Sequence, residues 1–145
     1  MSILRYPSPM KTFTFEYPVL HDDLDFMAII GNSEWITILT RARIELLDRI
    51  EYPLTKMLQQ KLGGVVSEMT VKYLKPARFG DTLRIDITPA SQFAKGLVLH
   101  YSVRNKKNEV CLVADVTMIF INHEGKSAEM PELISQKLFN SPASA

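Results

Sequence analysis

One cysteine, Cys111, among 145 residues excludes an intramolecular disulfide and any multi-cysteine metal centre. Long apolar runs are missing too: no window approaches the roughly 18 consecutive apolar residues that a helical membrane span needs. Charge of one sign is absent, with 17 Lys and Arg against 16 Asp and Glu and a formal net charge of +1. No broad cationic field therefore argues for nucleic acid. There are no internal repeats, and no low-complexity sequence beyond a Ser/Pro/Ala tail. The first residues, MSILRYPSPMK, hold two prolines and no sustained apolar core. A secretory signal is not expected, and the cytoplasm is the expected compartment. What remains is an ordinary globular composition, 46% hydrophobic and 23% charged. The length suits one domain with its own core, expected to run from about residue 12 to residue 138 within residues 1–145.

Hydropathy alternates with period two over residues 12–19, where Phe13, Phe15, Tyr17 and Val19 share one face of an expected strand. Pro18 donates no backbone hydrogen bond, which suits an edge or a strand end. After Asn32 the period changes. Trp35, Ile38, Leu39, Ala42, Leu46 and Ile50 recur at spacings of three and four, which predicts a long helix with Asn32 as its N-cap. Glu34 in the first turn complements the positive helix end. Pro53 limits that helix, and residues 54–62 predict a shorter one ended by Gly63-Gly64. Four strands follow, over residues 65–74, 82–88, 97–104 and 110–121. In the first of them Val65, Ser67, Met69, Val71 and Tyr73 alternate against the rest. Residues 131–138 predict a closing helix with Pro131 in its first turn. Short turns can join only antiparallel neighbours. The expected architecture is α+β, one long helix against a five-stranded antiparallel sheet.

Between the first strand and the long helix lies HDDLDFMAIIGNSEW, residues 21–35, with three carboxylates in four residues. His21, Asp22, Asp23 and Asp25 do not follow the Asp-x-Asp-x-Asp-Gly spacing of a calcium loop, so no metal site is expected there. His100 and His123 have no partner within sequence reach and read as surface or turn residues. Arg41, Arg43 and Glu45 read as ion pairs along the helix.

Three segments carry a family resemblance. Asp23-Leu-Asp25, followed after an apolar hexad by Asn32-Ser-Glu-Trp35, resembles an Asp-x-Asp…Asn/His-x-x-Tyr turn. Arg41-Ala-Arg43-Ile-Glu45 matches a basic-Ala-Arg-x-Glu stretch, and residues 71–81, VKYLKPARFGD, match a strand ending in Pro-Ala-Arg/Lys-x-Gly-Asp. In order and spacing these resemble the hotdog-fold acyl-CoA thioesterases of the 4-hydroxybenzoyl-CoA thioesterase branch and its Tol–Pal-associated relatives. The resemblance implies hydrolysis of an acyl-CoA thioester without a cofactor or metal, in a homodimer or homotetramer whose active sites lie between subunits. Four positions depart from the pattern: Ala28 replaces a Gly, Ile29 a His, Gly31 an aromatic or Asn, and Trp35 a Tyr.

Thioester hydrolysis needs a base or nucleophile beside the carbonyl carbon and donors beside its oxygen. The resemblance gives the first role to Asp25. It gives a helper role to Asn32, at a helix start whose free amides can hold an oxyanion. It places Val65 and Ser67 at the cleft border, and Arg78 and Lys95 as cations for the CoA phosphates. Trp35 either lines the acyl pocket or is core. Two rival readings remain: a thioesterase acting on acyl carrier protein, and a hotdog domain that binds an acyl thioester or a partner without cleaving it. A hotdog dehydratase is disfavoured, because no His pairs with a carboxylate on the long helix.

Overall fold

The computed structural model describes residues 11–139. Strand β1 (Phe13–Pro18) leads through a 3-10 turn at His21–Asp23 into helix α1 (Asn32–Arg49) and a short helix α2 (Leu54–Gln59). Then come β2 (Leu62–Tyr73), β3 (Thr82–Phe93), β4 (Gly96–Arg104), β5 (Val110–Asn122), a two-residue β6 (Ser127–Ala128) and helix α3 (Glu132–Phe139). The long strands lie in the order β1-β3-β4-β5-β2, and β6 pairs with β5. Every pairing is antiparallel. The expected five strands are present, and β6 adds a sixth that a two-residue pattern could not announce.

Helix α1 buries Trp35, Ile38, Leu39, Ala42 and Leu46, the set its spacing predicted. They join Leu83, Ile85 and Ile87 of β3, Leu99, Tyr101 and Val103 of β4, and Leu112, Ala114 and Val116 of β5 in one core. Each fully buried aliphatic side chain there contributes about 1.5–3 kcal/mol. One apolar stripe on one apolar sheet face is the layer pair that the hotdog resemblance implies.

Several boundaries differ from expectation. α2 stops at Gln59, and Gly63-Gly64 lie inside β2, because both glycines find strand partners in Ile121 and Phe120 of β5. β3 runs past Thr88 to Phe93, with an irregularity between Pro89 and Ser91 where the proline has no N–H to give. β2 carries a bulge between Val66 and Glu68. The extra residue, Ser67, breaks the alternation, so Met69, Val71 and Tyr73 do not continue the face of Val65 and Ser67. The N-cap of α1 is Gly31, in an extended conformation. Asn32 is already helical, and its Oδ1 accepts from the Ser33 amide at 3.0 Å.

Candidate active site

The acidic turn is a built structure. Asp23 is buried, and its carboxylate accepts from the Tyr17 hydroxyl at 2.9 Å and the Leu20 amide at 2.8 Å. Arg41 of α1 donates to the same Tyr17 hydroxyl at 2.8 Å. Burial, and then the bond to Asp23, push the Tyr17 phenol above its ordinary range, with Arg41 opposing. Asp23 thus ties β1, the turn and α1 together, whereas Asp22 is exposed. Of a solvated and a structural role, the motif's first aspartate has the structural one.

Asp25 follows at half-buried depth. Its Oδ1 accepts from the Met27 amide at 2.8 Å and, at the 3.5 Å limit, from Ile29. This is the Asx turn that aspartate favours. Oδ2 has no hydrogen bond among the described residues, so one carboxylate oxygen is fixed and the other is available. The turn closes through the Asp25 amide to the Ile29 carbonyl at 2.8 Å and the Ala28 amide to the Asp25 carbonyl at 3.0 Å. Ala28 sits at φ 61, the left-handed region where glycine would be unstrained. The replacement keeps the turn's shape at a conformational cost. The turn is also pinned to the β2–β3 connection: the Ile30 amide donates to Ala77 at 3.0 Å, and Ile29 bridges Arg78.

Asp25, Ile29, Ile30, Asn32 and Trp35 line an open hollow of about 510 Å³ with Tyr73, Leu74, Lys75 and Pro76. Asn32 is exposed at its rim, and the first-turn amides of α1 have no intrahelical acceptor there. Trp35 is 3% exposed and belongs to the core as well as the wall. The segment Tyr73–Pro76 was not among the expected site residues; its signal was the KPAR motif that carried the resemblance. Two aromatic side chains stand out on the surface near the acidic turn. Phe26 is 95% exposed beside Asp25, and His21 stacks on Phe79 with ring centroids 3.9 Å apart.

The remaining expected residues divide. Arg78 lies at the Asp25 end, exposed, its amide donating to Asp81 at 2.9 Å. Val65 and Ser67 lie toward the far end of β2; Val65 to Tyr73 is eight residues, about 26 Å of strand. Lys95 shares that far end, since Val65 pairs with Ile119 and Ile119 with Gly96. Its Nζ donates to Ser127 Oγ at 3.0 Å. Within one chain, Asp25, Asn32, Trp35 and Arg78 are gathered, and Val65, Ser67 and Lys95 are not with them. His100, expected to lack a partner, sits opposite Asp115 with Nδ1 2.9 Å from Oδ1. That pair is on neighbouring strands of the sheet, not on α1. Among the described residues no His, Cys, Asp and Glu cluster could hold a metal, and no helix is long and apolar enough to cross a membrane.

Comparisons with known proteins bear on the fold and the family. The acyl-CoA thioester hydrolase YbgC of Escherichia coli O6:H1 is 27% identical over 115 residues, which cover 78% of this chain and 86% of that protein. Among solved structures, Slr0204 of Synechocystis, a 1,4-dihydroxy-2-naphthoyl-CoA thioesterase, superposes with a TM-score of 0.82 at 18% identity, covering 88% of this chain and 96% of its own. SAV2348 of Staphylococcus aureus, solved in complex with CoA, gives 0.82 at 17% identity, covering 94% of this chain and 85% of its own. These structural likenesses establish the shared fold. A model of the thioesterase-like superfamily matches residues 19–138, and the chain belongs to that superfamily of hotdog-fold proteins.

Proposed function

We propose that the chain is an acyl-CoA thioesterase in which Asp25 supplies the reacting carboxylate. The observation that carries the reading is the state of that carboxylate. Oδ1 is held by the Met27 amide while Oδ2 has no partner among the described residues, on a side chain that lines the hollow beside the start of α1. The free oxygen either attacks the thioester carbonyl or draws a proton from a water that does. The carbonyl oxygen, which gains charge as the bond forms, is then received by first-turn amides of α1 near Asn32. Collapse expels the CoA thiolate, leaving the free acid where water attacked, or an acyl anhydride on Asp25 that a water then cleaves to the acid where the carboxylate did. No cofactor or metal takes part.

The divided site residues favour a homodimer as the working unit. β2 is an edge strand of twelve residues with no fully buried position. Antiparallel pairing of β2 with β2 of a second copy would bring each Val65–Ser67–Lys95 end to the partner's Asp25 end. Each hollow would thereby gain the wall and the cation that one chain keeps about 26 Å away. Further pairing to a tetramer is what the resemblance implies. The reading is of one domain, about residues 12–138, working in the cytoplasm.

The test is thiol release from short, long and aromatic CoA esters, with acyl carrier protein esters beside them. Asp25→Asn should lower kcat by about 10²–10⁴-fold with an unchanged melting temperature. A wild type inert on every CoA ester, or an Asn variant of undiminished rate, overturns the assignment.

A further inference from the structure

A second cavity lies away from the hollow, between α1 and α2 on one side and β2, β4, β5 and α3 on the other. It holds about 240 Å³, and its apolar wall includes Leu46, Met57, Leu99, Met118, Phe120 and Ile134. Its more exposed lining, Ile44, Leu54 and Val66, at 37%, 44% and 41%, marks a mouth toward the free edge of β2, with Gly64 beside Val66. Only Thr40 and Arg43 bring polar side chains. The Arg43 guanidinium is already engaged, with Nη1 donating to Tyr101 at 3.1 Å and Nη2 to Thr40 at 3.4 Å. A hydroxyl or carboxylate entering here would lose water and find few partners. A hydrocarbon would not.

Gly64 is the second observation. It lies inside a strand, where glycine is unfavourable, and its φ is not among the positive ones. The backbone does not require glycine at this position. Such strand glycines mark places where a ligand or another backbone comes close. A Cβ on Gly64 would point at Met118 Cε, 3.3 Å away, and Phe120 Cε1, 3.8 Å away. Both belong to the cavity wall.

We infer that this cavity holds the tail of a straight-chain aliphatic acyl group, with Gly64 keeping its mouth open and the cavity floor setting the length. The inference rests on the thioesterase reading for the identity of the ligand. At about 30 Å³ per water-sized unit, 240 Å³ takes about eight carbons. The mouth lies at the Val65 end of β2, the end that the dimer brings to a partner's Asp25. The thioester would then stand at one chain's carboxylate while its tail enters the other chain.

The experiment is calorimetric titration of the full chain with S-alkyl-CoA thioethers from methyl to dodecyl, which bind without being cleaved. Affinity should rise about fourfold per methylene to about eight carbons and then level off. Gly64→Val should bring the plateau forward by about three carbons, the bulk it adds. Met118 Cε, the nearest atom, is the end of a flexible side chain and can yield. Gly63→Val adds the same group where a Cβ meets only Ile121 at 3.9 Å, outside the cavity, and should leave the profile unchanged. If Gly64→Val does not fold, Val66→Phe at the same mouth carries the same expectation. Affinity independent of length, an equal response from the two glycine variants, or a change of assembly state with an unchanged profile overturns the inference. Octanoyl-CoA hydrolysis, measured in parallel, separates it from the reading beneath it. Length-dependent binding without cleavage sinks the enzyme and keeps the cavity; cleavage with a flat profile sinks the cavity alone.

Discussion

Ala28→Gly should make the protein more stable, and the size of the gain follows from one dihedral angle. Ala28 is at φ 61. There the Cβ of an L-residue crowds its own carbonyl, at a cost of about 1–2 kcal/mol. Removing the Cβ relieves that strain and touches little else. The residue is exposed, and its amide would still donate to the Asp25 carbonyl as it now does at 3.0 Å. Glycine also enlarges the unfolded ensemble, which returns about 0.4–1 kcal/mol to that side. The expected net gain is about 0.5–1 kcal/mol, or about 2 °C in melting temperature for a chain of this size. The assay is thermal and urea unfolding followed by circular dichroism at one fixed chain concentration, so that association does not enter the comparison. Ala28→Val, β-branched at the same φ, should fall on the other side of wild type. A glycine variant no more stable than wild type, or a valine variant equal to it, would refute the claim that this turn stores strain. Since the turn keeps its shape, thiol release by the glycine variant should match that of wild type.

Other outcomes follow from the same geometry. Asp23→Ala removes the acceptor of the Tyr17 hydroxyl and the Leu20 amide and should cost about 2–3 kcal/mol, read by urea unfolding; a loss below 0.5 kcal/mol would mean that water replaces it. Trp35→Ala, in a site 3% exposed, should cost about 3–5 kcal/mol; a melting curve like that of wild type would remove Trp35 from the core. Burial raises the phenol pKa of Tyr17, Tyr52 and Tyr101. Folding therefore favours their protonated forms, and this stability is complete below about pH 10 and lost as pH climbs through the raised values. Melting temperatures that stay level from pH 9 to pH 12 would contradict it. Cys111 is 1% exposed with its thiol pKa raised by burial, so an aromatic disulfide reagent at pH 7.5 should label it only as fast as the chain unfolds.

The long helix was legible because its buried face repeats at 3.6 residues, and packing against a sheet uses that face. Asp25 and Asn32 were legible through their motif, which fixes their separation at a strand-to-helix turn. The beginning of β2 was not: Gly63-Gly64 reads as a helix stop until Phe120 and Ile121 arrive from far along the chain to pair with it. Alternation alone could not reveal the bulge at Ser67, because one extra residue leaves the local composition unchanged. The bonds of Asp23 were not legible, since Tyr17 of β1 reaches its carboxylate, and Arg41 of α1 reaches the Tyr17 hydroxyl, only when strand, turn and helix pack. The His100–Asp115 pair needed the β4–β5 register for the same reason. Val65 and Lys95 were assigned to the site from the family pattern, and neither spacing nor hydropathy shows which end of a sheet a residue occupies.

The backbone bonds that hold the acidic turn and its approach against the β2–β3 connection also set a timetable for the newborn chain. The Val19 amide donates to the Asp81 carbonyl at 2.9 Å and the Ile30 amide to Ala77 at 3.0 Å, while among the described residues β1 pairs with β3 alone. Synthesis proceeds from the N-terminus, so Asp25 leaves the ribosome well before any of these partners exists. Until β3 has emerged, the turn lacks the contacts that orient its carboxylate, and loop closure over that span must come first. A segment made ahead of all its partners therefore takes its working shape only after them, and Phe26 and Met27 stay in water throughout that wait.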